Sequence, residues 1–288
     1  MLLRQRVDKE EQLYEHIVRF FPAGTYNWVV PAGCFSVEVF LVGGGGGGGR
    51  IVGGGSGYTK AYRGTGYTGS GWQTDADGGR DGNAISVTPG QVIPITVGAG
   101  GNGCTRTSSA FVAGVNGGWS QFLNTSYRAT GGIGGVIGAS IISDPGGNGG
   151  SGGAGINGSG LSYGGTDGGN GQSLGGTGQG RTTRDFGEFA GKRNAGGGGG
   201  GADFSSSPDP NTALNNGGAS DYNDGNGNDG IIIQPDGSNR FARTGGGGKG
   251  YGGGGGGGSK YNTDTGAIIG GKGGDGTVLL RFLSTTQP

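Results

Sequence analysis

The residues able to do chemistry in this sequence are few, and their spacing argues against most of it. A serine or cysteine hydrolase needs a base beside its nucleophile. His16 is the only histidine. It sits in an N-terminal stretch away from any predicted strand end and reads as an exposed helical residue. A histidine-based metal site fails by count. The pattern G-x-G-x-x-G occurs so often that it carries no information. Its nearest approach to a dinucleotide loop follows the strand ending at Val42, but that motif demands a helix next, and more glycine follows. Gly248-Lys249 and Gly271-Lys272 are followed by Gly250 and Gly273, where a P-loop needs Ser or Thr for magnesium. No cofactor is therefore expected. Asp75 to Asn83 matches a calcium loop for four residues, then lacks the third ligand and the closing glutamate. Asp221 to Gly230 has oxygen ligands at the wrong spacing. Asp and Asn beside Gly are turn residues foremost, so no metal is expected.

Aromatic residues set into glycine are more informative. Tyr58, Tyr62, Tyr67 and Trp72 punctuate one stretch; Tyr163, Phe186, Phe189, Phe204, Tyr222, Tyr251 and Tyr261 punctuate later ones. Two readings stand. Rigid rings among small adaptable residues are the composition of recognition loops, and flanking Asp, Asn and Gln suit sugars; Tyr58, Tyr62, Tyr67, Trp72, Tyr163 and Tyr222 are the candidate ligand-binding residues. Alternatively the rings plug the edges of a glycine-rich body as its available apolar mass.

Glycine must position whatever these rings do. It supplies 83 of 288 residues, against a usual share of about 7%. The longest tracts are Gly43 to Gly49, Gly196 to Gly201, Gly245 to Gly248 and Gly252 to Gly258. Such composition alone suggests disorder. Zero net charge and apolar residues gathered into blocks oppose it. Zero net charge also removes any global attraction to nucleic acid or acidic membrane. Two cysteines, Cys34 and Cys104, are too few for a disulfide framework, and whether they pair is open. No 18-residue apolar run exists for a membrane span, and Met1 to Phe20 lacks a signal peptide's apolar stretch. Synthesis in a cytoplasm, with delivery by assembly or lysis, is the expectation.

Met1 to Arg19 is the one stretch of helical composition, with Leu13, Tyr14, Ile17 and Val18 at helical spacing. It is either a frayed terminus or a docking segment over residues 1–20, attached to a glycine-rich domain at 21–288. Strands follow. Tyr26 to Val30 and Phe35 to Val42 read as a pair across Pro31-Ala32-Gly33, with Phe35, Val37, Val39 and Leu41 on one face and Glu38 on a wetter one. Ile85 to Val87 and Val92 to Val97 read as a second pair, with Pro94 marking an edge or bulge. Trp119 to Leu123 and Tyr127 to Thr130 make a third. Thr277 to Leu283 closes the chain; Ile231 to Ile233 and Phe241-Ala242 are shorter candidates. Apolar first and last strands imply pairing in one sheet. The class is all-β, a jelly-roll-like β-sandwich rather than a barrel.

Glycine recurs at every third residue from Gly146 to Gly158 and again from Gly165 to Gly171. Three residues per turn is the period of a polyproline-II-type helix; nine prolines exclude collagen. Glycine keeps its N–H and has no Cβ, so such helices can approach closely and bond backbone to backbone. The predicted architecture is a sandwich with inserted polyglycine-II helices.

Four blocks carry a resemblance. Pro22 to Gly33 followed by Val37 to Val42 and a glycine run, Val87 to Gly101, Gly117 to Phe122, and Gly273 to Phe282 together resemble the glycine-rich domain of bacteriophage tail and fibre proteins. The resemblance covers the chain after about Phe20. It implies a β-sandwich with polyglycine helices, placed at the tip or surface of a tail or fibre. With that placement, the N-terminal docking segment would meet other virion proteins and the aromatic loops a host surface glycan or protein. It carries no catalytic residue, and a homotrimer follows only from how such fibres are usually built.

Overall fold

The computed structural model describes residues 11–50, 52–63, 82–106, 111–135, 146–150, 152–153, 170–171, 203–204, 242–243, 248, 251–255, 257, 259–261 and 268–288. In chain order the strands are β1 (Tyr14–Phe20), β2 (Gly24–Val29), β3 (Ser36–Val42), β4 (Thr59–Tyr62), β5 (Ile85–Ser86), β6 (Val92–Val97), β7 (Thr105–Arg106), β8 (Phe111–Val112), β9 (Ser120–Phe122) and β10 (Arg128–Ala129). They continue with β11 (Asp203–Phe204), β12 (Ala242–Arg243), β13 (Ser259–Tyr261), β14 (Ile268–Ile269) and β15 (Thr277–Ser284).

Two antiparallel sheets pack together. The larger runs β1-β15-β3-β4, with β5 also on β3; the smaller runs β10-β9-β6-β2. Period-two alternation decides what enters the space between them. Val37, Val39 and Leu41 of β3 and Val278, Leu280 and Phe282 of β15 meet Trp28, Ile93, Ile95 and Phe122 of the smaller sheet. The Trp28 ring centroid lies 5.1 Å from Phe282 and 6.1 Å from Phe122, tying the layers together.

The closing strand and the third hairpin form as the sequence predicts. Other connections differ. Pro31-Ala32-Gly33 does not turn a hairpin: it carries the chain from the smaller sheet to the larger. The loop after β5 does the same in reverse. Phe35 lies outside the strand and is 68% exposed. Strand β6 is internal, not an edge. Its Pro94 carbonyl accepts from Leu123 N–H at 3.0 Å, and the proline has no N–H to return. There β9 has already stopped, and Leu123 adopts a left-handed φ of 63°. The N-terminal expectation of helix is overturned: Tyr14–Phe20 is a strand, paired with β15 over its full length from Tyr14↔Ser284 to Phe20↔Val278. Ile231 to Ile233 lie outside the described residues.

Strand β3 runs straight into Gly43 to Gly49, which are all buried. Their amides follow a strict rotation. Gly43, Gly46 and Gly49 donate to the carbonyls of Tyr58, Gly55 and Val52; Gly44 and Gly47 to Gly118 and Val115; Gly45 and Gly48 to Gly274 and Gly271. Their carbonyls rotate too. Gly132 and Gly135 donate to Gly44 and Gly47, Gly101 and Cys104 to Gly45 and Gly48, and Gly255 to Gly46. The tract is thus enclosed by segments 52–58, 115–118, 270–276, 131–135, 98–104 and 252–255. These segments also bond to one another around the ring, as in Gly54 to Gly255, Gly117 to Gly132, Val115 to Asn102, Gly273 to Gly101, Gly274 to Gly253 and Gly55 to Ile133. Every buried amide needs a partner, and here neighbouring segments supply them without any sheet.

Side chains appear in this body where an amide partner is lacking. Buried Ser120 Oγ donates to the Val42 carbonyl at 2.6 Å and accepts from Gly98 N–H at 3.0 Å, closing the seam with the sandwich. Asp275 accepts from Gly100 N–H at 2.9 Å.

Candidate functional site

The outer face of the larger sheet is divided. Toward the glycine body, Phe40, Val42, Ala61 and Leu279 form a small second core covered by Tyr251. Toward the opposite end the face opens into a groove of about 390 Å³. Its floor is charged. Arg281 stands across from Glu38 in the β15–β3 register. Its guanidinium donates to the Glu38 carboxylate through Nε at 2.6 Å and also through Nη2. Glu15 Oε1 lies 4.0 Å from Nε. The Arg281 side chain is 5% exposed and that of Glu38 15%. Phe35 and Leu283 form apolar walls. Glu15 and Glu38 thus both face the Arg281 guanidinium at the floor of the groove.

On the smaller sheet, Trp119 is partly exposed. The Arg128 guanidinium lies 4.1 Å from its ring centroid and donates to Gln121 Oε1 at 2.7 and 3.0 Å. This is a preformed planar surface with polar donors beside it.

Of the predicted ligand-binding residues, Tyr58 and Tyr62 are described. Tyr67, Trp72, Tyr163 and Tyr222 lie outside the described residues. Tyr58 is half-buried, its amide donating to the Thr130 carbonyl within the glycine body. Tyr62 stacks edge-on to Tyr127 at 5.1 Å and donates to the Ser126 carbonyl at 3.2 Å. Its ring fills space beside the core. Tyr251 likewise packs against Phe21 and lies under Arg19, which donates to its hydroxyl. For Tyr62 and Tyr251 the contacts are those of packing.

The docking residues divide by face. Tyr14 and Val18 are half-buried, and Val18 packs against the main core. Leu13 and Ile17 are exposed. His16 is not an exposed helical residue. It is half-buried in β1 and stacked on Phe282, with Nε2 2.9 Å from both Ser284 Oγ and the Thr286 carbonyl. Ser284 is fully buried, so this histidine–serine contact offers no room for a substrate and instead ties the C-terminal tail to β1. Among the described residues no group of His, Cys, Asp and Glu is placed to hold a metal ion.

Sequence reasoning passed over Arg281 and the groove. The signal was present: an arginine inside Val278-Leu279-Leu280-Arg281-Phe282 calls for a buried partner, and Glu38 on the wetter face of β3 was the available one.

The two thiols are separate and free. Burial raises the Cys34 thiol above its ordinary range, with the Ser36 backbone opposing it. Burial pushes Cys104 up to about 11, against Gly270 and the charge of Arg50. Since the thiolate is the nucleophile, neither is expected to react with iodoacetamide at pH 8 in the folded chain, while both react after unfolding in urea. Labelling of Cys104 at the unfolded rate would show that its glycine segment is not buried.

No curated protein matches the chain. The glycine-rich domain family matches residues 21–283, which takes in the smaller sheet, the larger sheet apart from β1 and the last residue of β15, and every segment enclosing Gly43 to Gly49. The chain belongs to the glycine-rich domain family.

Proposed function

We propose that the chain is a structural protein of a bacteriophage virion, at the tail or fibre tip, in which a rigid glycine body holds loops toward a host surface. The carrying observation is the rotation of hydrogen-bond partners around Gly43 to Gly49. We read it as polyglycine-II packing: three residues per turn, and about 3.1 Å of rise per residue, extend seven residues some 22 Å beyond β3. Alternation of the chain between sheets at the β2–β3 and β5–β6 connections supports a jelly-roll-like sandwich at its base. A body fixed by backbone bonds leaves the joining stretches free to vary in sequence. Tyr67 and Trp72 fall between β4 and β5, Tyr163 between residues 153 and 170, and Tyr222 between β11 and β12. In this reading the chain is not an enzyme. It works in the virion as a homo-oligomer, needs no cofactor, and meets host glycan or protein. Attachment to the particle is assigned to the chain ahead of β1.

Isolated protein should be retained on cells of a permissive host or on their surface polysaccharide, and Tyr67→Ala or Trp72→Ala should reduce retention about tenfold, the loss expected of a recognition ring. Deleting residues 1–12, which spares β1, should leave the fold intact and abolish incorporation into particles. Incorporation without them would sink the attachment assignment.

A second reading is a virion decoration or adaptor protein with no host ligand, or a bacterial surface protein. The engagement of Tyr62 and Tyr251 in packing favours it. No retention on any permissive host, with normal incorporation of the intact chain, would select the virion form of this reading.

A further inference from the structure

Among the described residues the larger sheet ends at β1 and the smaller at β2. Only Phe21, Pro22 and Ala23 join these strands, and the Phe20 and Tyr26 rings lie 5.4 Å apart. Both edges therefore lie on one side of the sandwich. On the opposite side Tyr62 of β4 is bridged to Gly82, and its ring packs against Tyr127. An open edge presents a row of unpaired N–H and C=O groups, and proteins that avoid edge pairing place Lys, Pro or a bulge there. Strand β1 has neither Lys nor Pro, and its unbroken register with β15 leaves no bulge. Ile17, at its centre, is 43% exposed.

The β1 sequence Tyr14-Glu15-His16-Ile17-Val18-Arg19-Phe20 is complementary to its own reverse. Antiparallel pairing centred on Ile17 sets Glu15 opposite Arg19 of the other copy, twice, with Tyr14 opposite Phe20 and Ile17 opposite itself. Glu15, Ile17 and Arg19 share the outer face by period two. Cross-strand pairs of opposite charge and of aromatics are the favourable ones. Centring on His16 or Val18 instead sets Ile17 opposite Glu15 or Arg19 and loses both charge pairs. The Arg19 guanidinium lies over Tyr251, which fixes it on that outer face.

We propose that two copies of the chain pair antiparallel through β1, about a two-fold axis at Ile17, and so join their larger sheets into one. This pairing closes on itself and stops at two. It does not depend on the virion reading. One strand pair buries less than the roughly 1,200 Å² of a standard interface, so the association is reversible and concentration-dependent.

Sedimentation of the full chain from low to high micromolar concentration tests it. The mass should rise from one copy to two. Ile17→Lys should remain one copy throughout with an unchanged melting temperature. Under mild oxidation Ile17→Cys should give a disulfide-linked dimer and Leu283→Cys, one strand inward, should not; the native thiols of Cys34 and Cys104 are fully buried and stay silent. If Ile17→Lys fails to fold, the cross-link decides. One copy at all concentrations, three copies, a two-copy mass surviving Ile17→Lys, or a different particle protein seated on β1 would each overturn the proposal.

Discussion

Gly45→Ala is expected to prevent folding, although it adds one methyl group. On the native backbone that carbon would sit 1.9 Å from the Gly253 carbonyl oxygen, 2.5 Å from its carbon and 2.8 Å from the Gly252 oxygen. All three atoms are main chain, so no rotamer change relieves the clash. Ordinary overpacking of a core costs about 1–3 kcal/mol because side chains yield. Here segment 252–255 would have to move. It makes bonds to Gly46, Gly54, Gly57, Gly274 and Asp275. Each is worth about 1 kcal/mol net, and a buried group left unpaired costs about 1–3 kcal/mol. The sum reaches the whole stability of a typical domain, roughly 5–15 kcal/mol. Alanine's smaller unfolded-state entropy returns only about 0.4–1 kcal/mol. Steric cost wins.

Gly90→Ala separates this effect from glycine's other use. Gly90 has φ +81° and nothing within 4 Å of the added carbon, so its cost is the left-handed penalty of about 1–2 kcal/mol. Urea unfolding of both variants, with amide exchange of the parent, checks the account. Gly43 to Gly49 should be protected as strongly as β3. Equal unfolding midpoints for the two variants, or free-peptide exchange in the tract, would refute the enclosed packing.

The sequence revealed strands better than their partners, and the reason is physical. Alternation in β3 and β15 reports that one face is buried, not which sheet buries it. Pro31-Ala32-Gly33 joins two apolar strands whether it turns within one sheet or crosses the roughly 10 Å between layers. Pro94 was misplaced because its missing N–H need only coincide with the end of a neighbouring strand, and β9 ends there. The N-terminal stretch has helix-forming residues, but propensity is a weak prior. Burial alternates from Tyr14 to Val18, which the exposed Ile17 conceals in the sequence, and seven pairs with β15 decided the outcome. The central glycine tract shows no period of its own because every residue is identical. Its threefold order lies in its neighbours and became visible only in their arrangement. The threefold spacings of Gly146 to Gly158 and Gly165 to Gly171 were the sequence traces of that order, and of them only residues 146–150, 152–153 and 170–171 are described; Gly147 donates to Gly53 and Gly150 to Ser56. Of the candidate site, Glu38 was legible as a charged residue on an otherwise apolar strand, whereas Arg281 required knowing that β15 lies beside β3.

Arg281→Met is expected to cost about 3–5 kcal/mol, the range for removing one partner of a buried ion pair. The reason is what remains. Glu38, 15% exposed, would face Glu15 across the emptied site with no guanidinium between them. Glu15 is 57% exposed and keeps its water, so it contributes little to the loss. Nearly all of the cost therefore belongs to Glu38. It follows that Glu38→Leu in the same chain should recover most of the stability, because a well-packed apolar pair of similar volume is often as stable as the ion pair it replaces. The methionine stem would lie along the groove between Phe35 and Leu283, beside only the solvated charge of Glu15. A double-mutant cycle in urea measures this directly: the double variant should be more stable than Arg281→Met alone, with a coupling of at least about 2 kcal/mol between the two sites. Additive losses would show that Arg281 is held by packing of its stem and not by Glu38.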